Sequence, residues 1–285
     1  MPFERSATVL PGGSVLAESG PMRLVISAAV GKVVQTQMAL RAAEESFGFL
    51  ERVAAQRNLL GRQFLKTWEQ VKDPLALKMI DSVLAIGDED LTPMAAVAGT
   101  IADEVADFLF ARGMTKVVVD NGGDVAIRAD REEPMTVGIR PNVNDQTVSC
   151  VIGLEPEIHS HGVATSGLGG RSLTRGIASA ATVIARTASL ADAAATAVAN
   201  ASFLDDEQVF RQPAEEIDPY TDLAGLDVTV KVGPLSEDKK SQAVSQALRR
   251  AEDLVRREVI LGAFVAVQGR HGMTRYLRDR LIEQA

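Results

Sequence analysis

The hydrophobic pattern divides the chain into strand-like and helix-like stretches. Ser14 to Ala17 and Arg23 to Val30 read as two short strands around the turn-rich Glu18-Ser19-Gly20-Pro21. The second is mostly apolar, as in a strand covered on both faces. Between Gln35 and Leu60, the residues Leu40, Ala43, Phe47, Leu50 and Ala54 recur at threes and fours, which predicts an amphipathic helix stopped by Gly61. Phe64 to Val71 predicts another short helix, ending near Pro74, and Leu75 to Ile86 a third, closed by Gly87. Thr92-Pro93 fits an N-cap with proline in the first turn of a helix over Pro93 to Ala111. The start of that helix, Met94 to Thr100, is almost all small residues. Such a surface lets a backbone or a ligand lie against it, and plain helix packing explains it equally well.

Lys116 to Val119 is a β-branched run that predicts a buried strand. It breaks at Asp120-Asn121-Gly122-Gly123-Asp124 and resumes its apolar alternation from Val125 to Arg128. Asn-Gly is a strong hairpin signal because both residues tolerate positive φ. Met135 to Ile139 and Thr147 to Leu154 follow as strands joined by short loops, Ala129 to Pro134 and Arg140 to Asp145, so an antiparallel meander is expected. His159 to Gly170 is rich in Gly and Ser and reads as a shaped loop. Next come a strand over Ile177 to Thr187, a small-residue helix over Ser189 to Phe203, and an acidic surface excursion from Asp205 to Asp222. Asp227 to Val232 reads as a strand, Glu237 to Arg257 as a charged amphipathic helix, Val259 to Gln268 as a strand and Met273 to Glu283 as a final helix.

Composition narrows the picture. Aromatics are only 4% of the residues, so the core is built from small aliphatics with close backbone approach. A net charge of −8 disfavours a nucleic-acid partner, because no basic excess is available for phosphates. The one cysteine, Cys150, lies in a strand-like run and is expected to be a small buried apolar residue. The N-terminal stretch lacks the apolar core of a signal peptide, and no window approaches the ~20 apolar residues of a membrane span. A cytoplasmic location is the expectation.

Three stretches could carry chemistry. Asp192 and Thr196 stand four apart among alanines, on one face of a helix. A carboxylate and a hydroxyl, with a backbone carbonyl and phosphate oxygens, would suit Mg²⁺. The alternative is an acid satisfied by free helical N–H groups and a threonine bonded back to a carbonyl. In His161-Gly162-Val163-Ala164-Thr165-Ser166-Gly167, N–H groups and hydroxyls could hold phosphate or ribose oxygens, and His159 and His161 could supply a donor or a base. The turn at Asn121, Gly122, Gly123 and Asp124 is the third. By itself it is a hairpin, with backbone bare enough for a ligand to approach.

In order, these stretches resemble the ApbE superfamily, flavin transferases that move FMN from FAD onto a protein threonine. The resemblance runs through Ala95-Ala96-Val97-Ala98-Gly99-Thr100-Ile101-Ala102-Asp103, Asn121-Gly122-Gly123-Asp124, Val163-Ala164-Thr165-Ser166-Gly167 and Ala191-Asp192-Ala193-Ala194-Ala195-Thr196. Within the superfamily the chain is most similar to the cytosolic UPF0280 branch. The resemblance implies an α+β, T-fold-like architecture of antiparallel sheets packed with helices, one domain over 1–285 with two lobes at about 1–115 and 116–285. It implies FAD and Mg²⁺. Asp192, Thr196 and a carbonyl of Ala95 or Ala96 would ligate the metal. Asn121, Gly122, Gly123 and Asp124 would lie beside the nucleotide, with Thr165, Ser166 and Gly167 near its phosphates.

There are departures. The transferase lysine is Ala98 here, and the His-x-Ile-x-Asp-Pro segment expected after the Thr-Ser-Gly loop is replaced by Leu168 to Arg175. No Asp-Gly-x-Ser/Thr-Gly-Ala-Thr flavin-acceptor motif is present in the chain. Two functions follow from the resemblance: an FMN transferase or FAD pyrophosphatase, or a non-catalytic flavin- or partner-binding protein linked to sulfur assimilation and homocysteine formation. A protein acceptor, a redox partner and a second copy of the chain are the partners it implies.

Overall fold

The computed structural model describes residues 4–62, 68–130, 133–144 and 147–284. The chain opens with β1 (Arg5–Val9), β2 (Val15–Ser19), β3 (Met22–Val30) and β4 (Val33–Val34), followed by α1 (Thr36–Leu60) and α2 (Pro74–Ile86). A 3₁₀ turn (Pro93–Ala96) leads into α3 (Val97–Phe110). The hairpin β5 (Lys116–Asn121) and β6 (Asp124–Ala129) comes next, then β7 (Thr136–Ile139), β8 (Cys150–Gly153), β9 (Ser160–Ser166), β10 (Ala180–Ala185) and α4 (Ala188–Asn200). The last part holds β11 (Val209–Pro213), α5 (Ala214–Ile217), β12 (Asp227–Val232), α6 (Glu237–Arg256), β13 (Gly262–Val267), β14 (Arg270–Met273), α7 (Arg275–Arg278) and β15 (Leu281–Gln284).

This is an α+β fold. One large antiparallel sheet runs in the order β1-β2-β3-β5-β6-β9-β10-β13-β14, with β4 paired to β3. Strands β15, β8 and β7 form a second sheet, and β11 and β12 a ribbon. The helices cover one face of the large sheet. Val117, Val119 and Ala126 pack with α1 and α3, while Ala164, Val183 and Val265 pack with α2, α4 and α6. The other face carries Ile127, Val163, Ile184 and Phe264, which meet Ile139, Cys150 and Ile152 of the three-stranded sheet. Cys150 is buried, as expected of a small apolar residue.

Helix starts follow local chemistry. Asp73 accepts the Leu75 N–H at 2.9 Å with Pro74 in the first turn, and Thr187 accepts the Leu190 N–H at 3.3 Å. Helix α4, with alanine at seven of its 13 positions, lies in the middle of the helical layer, touching α2, α3, α6, β9 and β10. Its small side chains permit that crowding. A Cβ on Gly99 of α3 would lie 2.1 Å from the Ala188 carbonyl oxygen, so only glycine fits where the two helix starts cross.

Several expectations are corrected. The final helix over Met273 to Glu283 is instead a hairpin strand, the single turn α7 and the edge strand β15. The reason is the turn at Gln268 (φ 45°) and Gly269 (φ 87°), which folds β14 back on β13. The shaped loop expected at His159 to Gly170 is, over Ser160–Ser166, a central strand, and its glycine at 162 sits under the start of α4. Thr92 caps nothing with its side chain, and the helix it precedes starts as a 3₁₀ turn. The acidic excursion contains the β11 strand and α5, and β1 is a strand that the pattern does not suggest. The first half of the helix expected over Phe64 to Val71 falls outside the described residues. No helix among the described residues is long and apolar enough to cross a membrane.

Candidate functional site

Helix α4 presents one polar stripe. Asp192, Thr196 and Asn200, each four residues apart, line a cavity of about 260 Å³ together with Ala95, Ala98 and Asp124. Among the described residues five aspartates line it: Asp90, Asp124, Asp192, Asp218 and Asp222. So do three guanidinium groups, those of Arg57, Arg171 and Arg175.

The walls are held by specific bonds. Oδ2 of Asp192 accepts the Gly99 N–H at 2.9 Å. Nδ2 of Asn121 donates to the Ala98 carbonyl at 3.1 Å, fastening the β5–β6 hairpin to the start of α3. Asn121 therefore closes the strand instead of forming the turn. The turn is Gly122-Gly123, at φ 70° and 111°, and Oδ1 of Asp120 accepts the Gly123 N–H at 2.7 Å. A Cβ on Gly122 would lie 2.4 Å from an Arg171 guanidinium nitrogen. Arg171 in turn donates to the Pro21 carbonyl at 2.6 Å, so it bridges two hairpins beside the cavity. Arg175 pairs with Asp90, and its backbone N–H donates to Asn200 Oδ1 at 3.0 Å.

Charge is concentrated here. Loss of contact with water pushes the Asp192 carboxyl up to about 7, and Asp103 adds to this. The N–H groups of Gly99 and Ala98 pull the other way. Asp124 is raised well above the usual carboxylate range, first by withdrawal from water and then by the nearby charges of Asp192 and Asp120, with Arg171 opposing. Two carboxylates that disfavour each other's ionisation inside one cavity suit a cation. The donor set of Asp192, Thr196 and the adjoining backbone is all oxygen, which fits Mg²⁺. Among the described residues there is no group of three or more His, Cys, Asp or Glu arranged to bind a metal by themselves, so a cation here would need backbone, hydroxyl and ligand oxygens.

The structure does not bring the other predicted residues to this cavity. Thr165 Oγ1 lies 2.9 Å from Thr182 Oγ1 in the sheet, and Ser166 and Gly167 are absent from the lining. Ala96 is fully buried, while Ala95 faces the cavity. Side chains alternate along β9, and a Cβ on Gly162 would strike Thr187 and Ala188 of the helical layer. His161 therefore points to the opposite face of the sheet, where burial and the Arg186 and Arg128 charges lower its pKa to about 4. His159 is exposed, with Nδ1 2.9 Å from the Ala129 carbonyl oxygen. Pattern reading misses Arg171, Arg175 and Asn200. Asn200 is within its reach, since it continues the four-residue spacing of Asp192 and Thr196. The arginines sit in a segment that stands out in the sequence only for the motif it lacks.

The family described as AbpE bacteria matches residues 7–273. Curated relatives include a UPF0280 protein of Methanococcoides burtonii, 40% identical over 138 residues, or 47% of this chain and 56% of that protein. One from Methanocaldococcus jannaschii is 34% identical over 155 residues, or 52% of this chain and 62% of that protein. The chain spans about half the length of the curated relatives it matches. Among solved structures, the apo flavinyl transferase ApbE of Pseudomonas stutzeri aligns over 98% of this chain and 97% of its own, at 14% identity and a TM-score of 0.46.

Proposed function

The chain belongs to the AbpE bacteria family, with UPF0280 relatives, and on that premise we propose that the cavity binds the pyrophosphate of a dinucleotide, FAD, together with Mg²⁺. The observation that carries this reading is the meeting of Asp192, Thr196 and Asp124 with Arg171 and Arg175 in one cavity. Asp192, the Thr196 hydroxyl and the Ala95 carbonyl would hold Mg²⁺, which supplies charge neutralisation at the pyrophosphate when bound. Arg171 and Arg175 pair with phosphate oxygens, since a guanidinium fork matches that geometry. A cavity of about 260 Å³ has room for the phosphates and not for the whole dinucleotide.

The reaction is cleavage of the pyrophosphate with the FMN phosphoryl group passed to a hydroxyl, of water or of a protein acceptor, and AMP as the leaving group. The phosphoryl–oxygen bond to AMP breaks as the new ester or acid bond forms. Asp124, which lines the same cavity, would receive the hydroxyl's proton. Arg171 and Arg175 offset the charge that moves onto AMP.

The second reading is FAD binding without turnover. Ala98, in the position where the family resemblance expects a lysine, lines the cavity and offers only its methyl group and backbone. The two readings separate on incubation of the full chain with FAD and Mg²⁺. The first expects AMP release that Asp192→Ala abolishes. Tight binding of unchanged FAD, with no AMP, leaves the second. No FAD binding at high concentration overturns both.

A further inference from the structure

We propose that Tyr220 is an aromatic platform on the rim of this cavity, taking the face of a planar nucleotide ring whose phosphates lie inside. The inference rests on the phosphate reading of the cavity given above.

Among the described residues, no aromatic side chain lines the cavity itself. A dinucleotide seated by its phosphates would leave both ring systems outside, in need of an apolar surface. Tyr220 lies in the segment 218–222 that forms part of the cavity wall. Its chain neighbours Asp218, Thr221 and Asp222 all line the cavity, yet its own side chain does not, and the residue is 79% exposed. A lone exposed tyrosine is ordinary on a protein surface. This one is held by the site. Arg57, a cavity residue, donates from Nη2 to the Tyr220 carbonyl at 2.7 Å. The Tyr220 N–H donates to Asp218 Oδ1 at 2.9 Å, and Asp222 accepts the hydroxyl of Thr92 across the cavity wall. The backbone is thus fastened on both sides while the ring stays free to stack. Few conformations are lost when such a ring meets a ligand, since tyrosine has two side-chain torsions.

The ring could be the flavin or the purine, and both offer a π-face. Full-length wild type, Tyr220→Ala and Tyr220→Phe are titrated with FAD, FMN, ADP and inorganic pyrophosphate, each with Mg²⁺, by calorimetry. Tyr220→Ala is expected to weaken FAD on the order of tenfold, the scale of base–aromatic stacking. Tyr220→Phe should bind FAD as wild type does, and pyrophosphate affinity should be the same in all three. A matching loss for FMN alone assigns the platform to the flavin, and for ADP alone to the purine. Unchanged FAD affinity in Tyr220→Ala overturns the proposal while the phosphate site stands. An equal loss for pyrophosphate also overturns it, because the residue then acts through the loop backbone and not the ring. If wild type binds neither FAD nor pyrophosphate, the underlying reading of the cavity fails first.

Discussion

Asp192 and Gly99 are joined across two helices: the Asp192 Oδ2 accepts the Gly99 backbone N–H at 2.9 Å. The acid of α4 is therefore aimed by the start of α3, and one of its oxygens is already engaged.

That arrangement separates folding from binding. Asp192→Asn keeps an oxygen that can accept the Gly99 N–H, so its melting temperature should stay near wild type while Mg²⁺-supported FAD binding is lost. Asp192→Ala should lose both, with a stability cost of about 1–3 kcal/mol from the unsatisfied N–H. Thermal melts beside FAD titrations check the pair. An Asn variant that binds FAD and Mg²⁺ normally would remove Asp192 from the metal site.

Gly99 and Gly48 should respond to alanine with opposite signs. At Gly99 the new methyl meets backbone of Ala188 at 2.1 Å, and backbone cannot swing aside. Gly99→Ala is expected to cost ~3 kcal/mol or more as overpacking. Gly48 lies inside α1, and an added methyl there would find nothing within 4 Å. Gly48→Ala should stabilise by about 0.5–1 kcal/mol through helix propensity. Urea denaturation of both variants gives the comparison.

Arg128 and Asp103 form a buried ion pair at 2.9 Å, and the same Asp103 carboxylate accepts the N–H groups of Ala188 and Ser189 at the start of α4. Arg128→Met leaves that carboxylate without its cation. We expect a loss of about 3–5 kcal/mol, the usual result of removing one partner from a buried pair. A loss below about 1 kcal/mol would mean that the helical N–H groups suffice for Asp103.

His161 should make the protein sensitive to acid. Its pKa falls from 6.5 in the unfolded chain to about 4 in the folded one, chiefly through burial. Below pH 6.5 the unfolded chain takes up a proton that the native state refuses, so stability falls as pH drops from 6.5 to about 4. The loss attributable to this group is roughly 3 kcal/mol. His161→Leu should flatten that part of the profile. If the two proteins lose stability in parallel between those values, His161 is not the cause.

The elements most legible in the sequence are those whose signals are local. Helix α6 follows from its periodic apolar positions, the Ser236 cap and the acidic Glu237 and Asp238 in its first turn. The β5–β6 hairpin follows from two glycines between apolar alternations. The C-terminal segment misleads because Gln268-Gly269 is a weaker turn signal than Asn-Gly, and Arg275 to Leu281 carries a helix-like pattern. At Ser160–Ser166, glycine and serine suggest a loop, but the glycine is there to let α4 lie on the strand.

The order of residues is enough to specify which side chains are available and their local spacing: an acid and a hydroxyl four apart on an alanine helix, and a glycine pair between two strands. Those follow from backbone periodicity and turn geometry alone. Which of them meet is a matter of the folded chain. Folding sets Asp124 beside Asp192, brings Arg171 and Arg175 into the same cavity, and turns His161 to the far face of the sheet. These outcomes depend on strand register and on how closely α3 and α4 cross. Both are set by contacts between residues far apart in the chain, which no local pattern records.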